Sequence, residues 1–120
     1  MKNLLILATM LLTFGFANAQ CYINDYSTNK RALKVDGDYA ISYSSNKRLY
    51  KFDGDYLIDY STNKRLLKSD GEYIIRYSDN KRIGKLDGSY LISYSSNKRI
   101  AKLDCPGRRS ALAAAAYFLY

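Results

Sequence analysis

Five adjacent lysine–arginine pairs are the residues of this 120-residue chain best suited to bind a ligand. Each pair ends an S-x-N-K-R motif, and successive motifs start 17 residues apart. Such side chains hold phosphate, sulfate and carboxylate groups, and weak contacts to one polyanion reinforce each other. Solubilising five surface turns would explain the same residues without a ligand. The candidate anion-binding residues are Lys30, Arg31, Lys47, Arg48, Lys64, Arg65, Lys81, Arg82, Lys98 and Arg99.

The sequence predicts neither catalysis nor a bound metal or cofactor. The chain has no histidine, which removes the usual base for a serine or cysteine nucleophile. Five aspartates recur once in each repeat, and their 17-residue spacing matches no single-loop calcium site. They are expected in turns: Asp36, Asp53, Asp70, Asp87 and Asp104. We therefore expect a protein that is not an enzyme.

Residues 1–19 have the pattern of a secretory signal peptide. Lys2 precedes an apolar run, and Ala17-Asn18-Ala19 forms a small-x-small cleavage site. We expect cleavage after Ala19 and export to the periplasm or the extracellular space. A membrane anchor is the alternative, but the run is short for a span of ~20 residues, and we expect no transmembrane span in the mature chain. The net charge is +8, and +7 without Lys2, which favours anionic partners.

The two cysteines, Cys21 and Cys105, lie on either side of the repeats. An isolated pair in an exported protein is most often a disulfide. Metal binding or redox chemistry is a poor explanation because the two are far apart in sequence and no histidine accompanies them. We predict that they pair.

A 17-residue unit recurs five times between residues 20 and 105, and its fold must position the lysine–arginine pairs and the cysteines. In one copy, Tyr56–Tyr60 alternates as a strand does, and the tyrosines and Ile58 are predicted to face inward. Ser61-Thr62-Asn63-Lys64 forms a turn, residues 65–69 return as a second strand, and Asp70-Gly71 starts the next turn. The inward face of this second strand stays open, because a bulge would shift it.

Ten strands in a meander either remain an open sheet or close into a barrel, and the cysteines favour closure. In the 17-residue register, Cys105 takes the place of the turn glycines, and Cys21 takes the next place. In a ring, the disulfide would replace the missing turn. In an extended array the two cysteines would lie far beyond the ~4.4–6.8 Å Cα separation that a disulfide needs.

Residues 106–120 form a linker and an apolar tail, ALAAAAYFLY, with high helix propensity. Ser110 is the expected N-cap. A helix that is apolar all round and too short for a bilayer belongs in a core. The fold class predicted is therefore mainly β: a closed ten-strand antiparallel meander barrel of five hairpin repeats around a C-terminal helix. The helix should enter at the aspartate end and point toward the lysine–arginine end.

From Tyr22 to Tyr120, the unit Y-x-I-x-Y-S-x-N-K-R…D-G and the apolar tail resemble the β-flower group. This resemblance implies hairpin petals around a central hydrophobic helix, an arrangement compared with Tubby-type and scramblase barrels. It implies no established activity. Tubby-type proteins bind anionic lipids, but none of their lipid-binding residues can be matched here.

Three functional hypotheses follow. The first is a non-enzymatic exported barrel that binds an anionic lipid or polysaccharide through its lysine–arginine pairs. The second is a structural module whose tyrosines or tail dock a protein partner. The third is an open, glycan-binding solenoid similar to choline-binding repeats, which the absence of tryptophan disfavours. Nucleic acid is an unlikely partner for an exported protein.

Overall fold

The computed structural model describes residues 20–120, so the predicted signal peptide lies outside the described residues. This part of the chain forms ten strands and one helix, α1. The strands are β1 (Cys21–Asp25), β2 (Arg31–Asp36), β3 (Tyr39–Ser42), β4 (Arg48–Asp53), β5 (Tyr56–Asp59), β6 (Arg65–Asp70), β7 (Tyr73–Arg76), β8 (Arg82–Asp87), β9 (Tyr90–Ser93) and β10 (Arg99–Leu103). Helix α1 is Arg108–Phe118.

The strands form a closed antiparallel barrel in which each strand pairs with its neighbours in sequence and β1 pairs with β10. At this seam, Asn24 lies opposite Lys102, in the same register that places Ile41 opposite Lys34. The ring therefore closes without a break in the repeat, and no strand of it presents a free edge. The predicted fold class is confirmed.

Two kinds of turn alternate around the barrel. In one, Asp70 pairs with Tyr73, and Gly71 between them has a φ of 62°. Positive φ at the first residue of a two-residue loop suits glycine. In the other, Asn63 has a φ of 60°, its N–H donates to the Asp59 carbonyl, and the Asp59 N–H donates to the Lys64 carbonyl. All five asparagines of this motif are left-handed.

A bulge follows each lysine–arginine pair and settles the register of the second strand. Leu57 pairs with Leu67 and Ile58 with Arg65, so Leu66 is the extra residue. The same shift occurs in the other four copies. The bulge turns Leu67 and Ser69 toward the interior, and both are buried.

The predicted inward face of the first strand is wrong. Leu57 is fully buried in the core, whereas Tyr60 is 47% exposed. The residue between the first tyrosine and the isoleucine position is at most 1% exposed in every copy: Ile23, Ala40, Leu57, Ile74 and Leu91. Medium-sized aliphatic side chains leave room for a central helix, while the larger tyrosines lie outside the barrel.

Helix α1 fills the interior. Ser110 to Ala116 are all buried, and Ala113, Ala114 and Ala115 have no exposed surface. Gly84 has little room for a side chain, because an added Cβ would meet the Leu91 Cδ1 at 3.1 Å and the Leu119 Cδ1 at 3.4 Å. In the equivalent position of β4, Tyr50 is large, and burial raises its pKa to about 12. The predicted buried helix is therefore present.

The helix begins earlier than predicted. Ser110 is not its N-cap; it lies in the first turn, and Gly107 precedes the helix without a side-chain cap. The start is held from outside instead. Arg108 forms a salt bridge with Asp55 at 2.9 Å, and Arg109 forms one with Asp38 at 3.2 Å. These carboxylates offset the unfavourable placement of two cations at a helix N-terminus.

The Cys21–Cys105 disulfide is formed, with a Cα–Cα distance of 5.5 Å. It lies at the seam between β1 and β10, where the repeat has no connecting turn. The predicted role of the two cysteines in closing the ring is confirmed. The disulfide marks the end of the barrel at which α1 enters, since Cys21, Cys105 and Arg109 line one surface depression.

Candidate functional site

The five S-x-N-K-R turns lie together at one end of the barrel, which we call the basic rim. The backbone positions each lysine, because its carbonyl accepts the N–H of the last residue of the preceding strand, as Lys64 does from Asp59 at 2.8 Å. The left-handed asparagine before the lysine makes this tight loop possible. All five rim lysines are exposed: Lys30, Lys47, Lys64, Lys81 and Lys98.

The five arginines of the pairs leave the rim and lie on the outer wall. The Arg65 guanidinium carbon is 4.1 Å from the centre of the Tyr56 ring and 5.9 Å from that of Tyr77. Tyr56 and Tyr77 meet edge to face, with centroids 5.8 Å apart. Five such edge-to-face tyrosine pairs surround the barrel, each with an arginine over one ring, and the Tyr26–Tyr90 pair completes the circle across the seam.

The predicted ring of ten cations is thus divided into two sets. Five lysines occupy the turns, and five arginines contribute cation–π contacts, each worth about 0.5–1 kcal/mol at exposed sites. None of the ten makes a salt bridge within residues 20–120. The lysines are therefore the part of the predicted site most available to an external anion.

Acidic groups near the basic rim are mostly occupied by local hydrogen bonds. Asp25 accepts hydrogen bonds from the Ser27 N–H at 2.9 Å and the Ser27 hydroxyl at 2.7 Å, and these lower the pKa of Asp25. Asp59 accepts the equivalent pair from Ser61. Asp79 forms a salt bridge with Arg76 at 2.9 Å. These carboxylates stabilise their own turns.

The end of α1 brings aromatic side chains to the basic rim. Leu119 lines a cavity of about 230 Å³ together with Lys81 and Arg82, which places the end of the tail beside the rim. Tyr117 is 45% exposed and Tyr120 is 55% exposed. Apolar and aromatic groups therefore lie beside the rim cations, a combination that the lysine–arginine pattern alone did not reveal.

Sequence reasoning also missed a second set of cations. A lysine in the second strand of each repeat projects from the outer wall and pairs across to a tyrosine, as Lys68 does with Tyr56. Their 17-residue spacing is visible in the sequence. The side of the sheet on which they lie is not, because it depends on the bulge in the second strand. They are Lys34, Lys51, Lys68, Lys85 and Lys102.

Comparison of the chain with protein-family models, curated proteins and solved structures finds no match. Within residues 20–120, no helix combines the length and the apolar character needed to cross a bilayer. The same part of the chain contains no cluster of three or more histidine, cysteine or acidic side chains arranged to hold a metal ion.

Proposed function

We propose that this protein is an exported, non-enzymatic barrel that binds an anionic envelope surface through its basic rim, and that the surface is an anionic lipid bilayer. A disulfide suits an oxidising compartment, which supports export. The resemblance to the β-flower group fits this proposal in architecture and adds no activity of its own.

The observation that carries the proposal is the exposure of Tyr117 and Tyr120 at the same end of the barrel as the rim lysines. Tyrosine is favoured at membrane–water interfaces because its ring is apolar and its hydroxyl is polar. An amphipathic aromatic side chain beside cations suits the boundary between anionic headgroups and acyl chains. The aromatic end of the tail therefore favours a lipid surface.

The charges supply the long-range part of the attraction. A lysine near an anionic membrane surface contributes about 1 kcal/mol, and the effect falls off within a Debye length. Five lysines on one rim can approach a flat bilayer together, whereas cations on the outer wall of a barrel cannot all do so. The proposal thus depends on where the lysines lie, as well as on their number.

Replacing the five rim lysines by glutamine (K30Q, K47Q, K64Q, K81Q and K98Q together) is expected to weaken binding to vesicles on the order of a thousandfold. Binding is measured by co-sedimentation with phosphatidylcholine vesicles, with and without phosphatidylglycerol, at low and moderate salt. We expect the unmodified protein to bind only the anionic vesicles, and less tightly as salt increases.

The matched control is the same five-charge change on the outer wall: K34Q, K51Q, K68Q, K85Q and K102Q. This variant has the same net charge as the rim variant, and it should bind much more tightly. Equal losses in the two variants would show that net charge alone governs binding. Binding to soluble acidic polysaccharide that matches or exceeds binding to vesicles would contradict a lipid target.

A protein partner is the alternative function. The exposed tyrosines of the outer wall, such as Tyr43 and Tyr94 at 48% and 49% exposure, are residues typical of protein interfaces. Under this alternative the lysines have little effect, and neither anionic vesicles nor acidic polysaccharide bind in a salt-dependent manner.

A further inference from the structure

The outer wall of the barrel departs from fivefold repetition at one position. Four copies carry isoleucine between the two tyrosines of the first strand, and the first copy carries asparagine. The residues are Asn24, Ile41, Ile58, Ile75 and Ile92. The exception lies at the seam, on β1.

The residues that pair with this position follow the repeat in every copy. Asn24 lies opposite Arg31 on one side and Lys102 on the other, with Tyr22 and Asp104 beside them. Ile58 lies between the corresponding Arg65 and Lys51. The first copy therefore differs from the others in this side chain and in the disulfide that replaces a turn at the seam.

Two observations bear on this position. Ile58 and Ile75 are largely covered, at 9% and 7% exposure, whereas Ile41, Ile92 and Asn24 are half-buried. Beside Asn24 lies a cavity of about 110 Å³, lined by Tyr22, Asn24, Arg31, Lys102 and Asp104. The Asn24 Oδ1 atom is buried and accepts no hydrogen bond from any group within residues 20–120.

A buried acceptor without a partner is unfavourable, and isoleucine at the same position in four other copies avoids it. Asn24 is therefore poorly explained by stability. It is better explained by a ligand that donates to Oδ1. The cavity walls define the rest of that ligand, since Arg31 and Lys102 attract an anion and Asp104 attracts a second donor.

We propose that this seam pocket binds a small carboxylate that also carries a hydroxyl or ammonium donor, such as a hydroxy acid or an amino acid. The carboxylate lies between Arg31 and Lys102, and the donor group contacts Asn24 and Asp104. The pocket is on the outer wall and uses none of the rim lysines, so it is independent of the proposed membrane binding.

Glycolate and propionate test the proposal, because they have similar shapes and differ in a hydroxyl group. Each is titrated into the ¹⁵N-labelled, disulfide-intact protein while backbone amide shifts are followed. We expect glycolate to shift the amides around Asn24 and to bind at least tenfold more tightly than propionate. Glycine, tested in the same way, shows whether an ammonium group is preferred to a hydroxyl.

Two variants use the repeat as its own control. Asn24→Ile should reduce glycolate and glycine binding at least tenfold, and raise the thermal midpoint by roughly 4–8 °C. Ile58→Asn should create a second site, seen as new shifts around Tyr56 and Arg65. Equal affinities for all three probes, shifts spread over all five repeats, or unchanged binding by Asn24→Ile would overturn the proposal.

Discussion

Replacing Ala114 by aspartate is expected to abolish cooperative folding of the barrel. Ala114 has no exposed surface, and it lies on a helix enclosed by ten strands. An unpaired carboxylate there has to be desolvated or protonated, at a cost of several kcal/mol. The whole stability of a domain this size is about 5–15 kcal/mol. Circular dichroism during urea unfolding measures the loss.

Tyr117→Asp is the matched control on the same helix. Tyr117 is 45% exposed, so the added charge stays in water and the free energy of unfolding should fall by no more than about 1–2 kcal/mol. Similar losses in both variants would mean that the helix does not occupy the barrel interior in solution. Deleting residues 108–120 gives a second test, because a hollow barrel should not fold alone. A normally folded truncated protein would favour a tail that docks on a partner.

Removing the disulfide is expected to lower the free energy of unfolding by about 4–5 kcal/mol, since the bond closes a loop between residues 84 apart. It also holds the one pair of neighbouring strands that no turn connects, β1 and β10. The double variant Cys21→Ala/Cys105→Ala should therefore lose amide-exchange protection first in these two strands.

Urea unfolding of the oxidised protein and of the double variant measures the difference. Amide-exchange protection of β5 and β6 serves as the internal reference, because a turn joins these two strands and they lie across the barrel from the seam. A stability loss below about 1 kcal/mol, or equal loss of protection in all strands, would contradict a seam held by the disulfide.

Sequence periodicity was sufficient to predict the barrel, because the turn residues and the two cysteines each indicated one structural feature. Asn63 and Gly71 recur where a positive φ is required, and both have it. Cys21 and Cys105 stand at the one position where a ring lacks a turn, and they are joined. These features depend on backbone conformation and chain closure, which a repeat specifies directly.

The face of the first strand could not be predicted in the same way, because both faces are rich in apolar residues. Tyrosine is amphipathic and suits either side of a sheet. A stricter comparison of copies would have resolved it: the position of Leu57 is aliphatic in all five copies, whereas the position of Ile58 includes Asn24. A buried position tolerates a polar side chain less well, so the fully aliphatic position is the inner one.

The functional surface was predicted only in part. The sequence identified the lysine–arginine pairs, and the structure separates Lys64 at the rim from Arg65 on the outer wall. That separation depends on the bulge and on two tyrosines. Tyr56 lies nine residues before Arg65 on the paired strand, and Tyr77 lies twelve residues after it. The aromatic end of the tail was predicted to be buried with the rest of α1, yet Tyr117 and Tyr120 are about half exposed.

We propose that the basic rim, with its aromatic tail, is the end of the barrel that contacts an anionic bilayer. The chain contains no tryptophan, so a single tryptophan is a clean reporter. Tyr120→Trp places it beside the rim, and Glu72→Trp places it on an exposed turn at the opposite end. With vesicles containing phosphatidylglycerol and brominated lipid, we expect strong quenching for Tyr120→Trp and little for Glu72→Trp. Equal quenching of both reporters, or stronger quenching of Glu72→Trp, would contradict it.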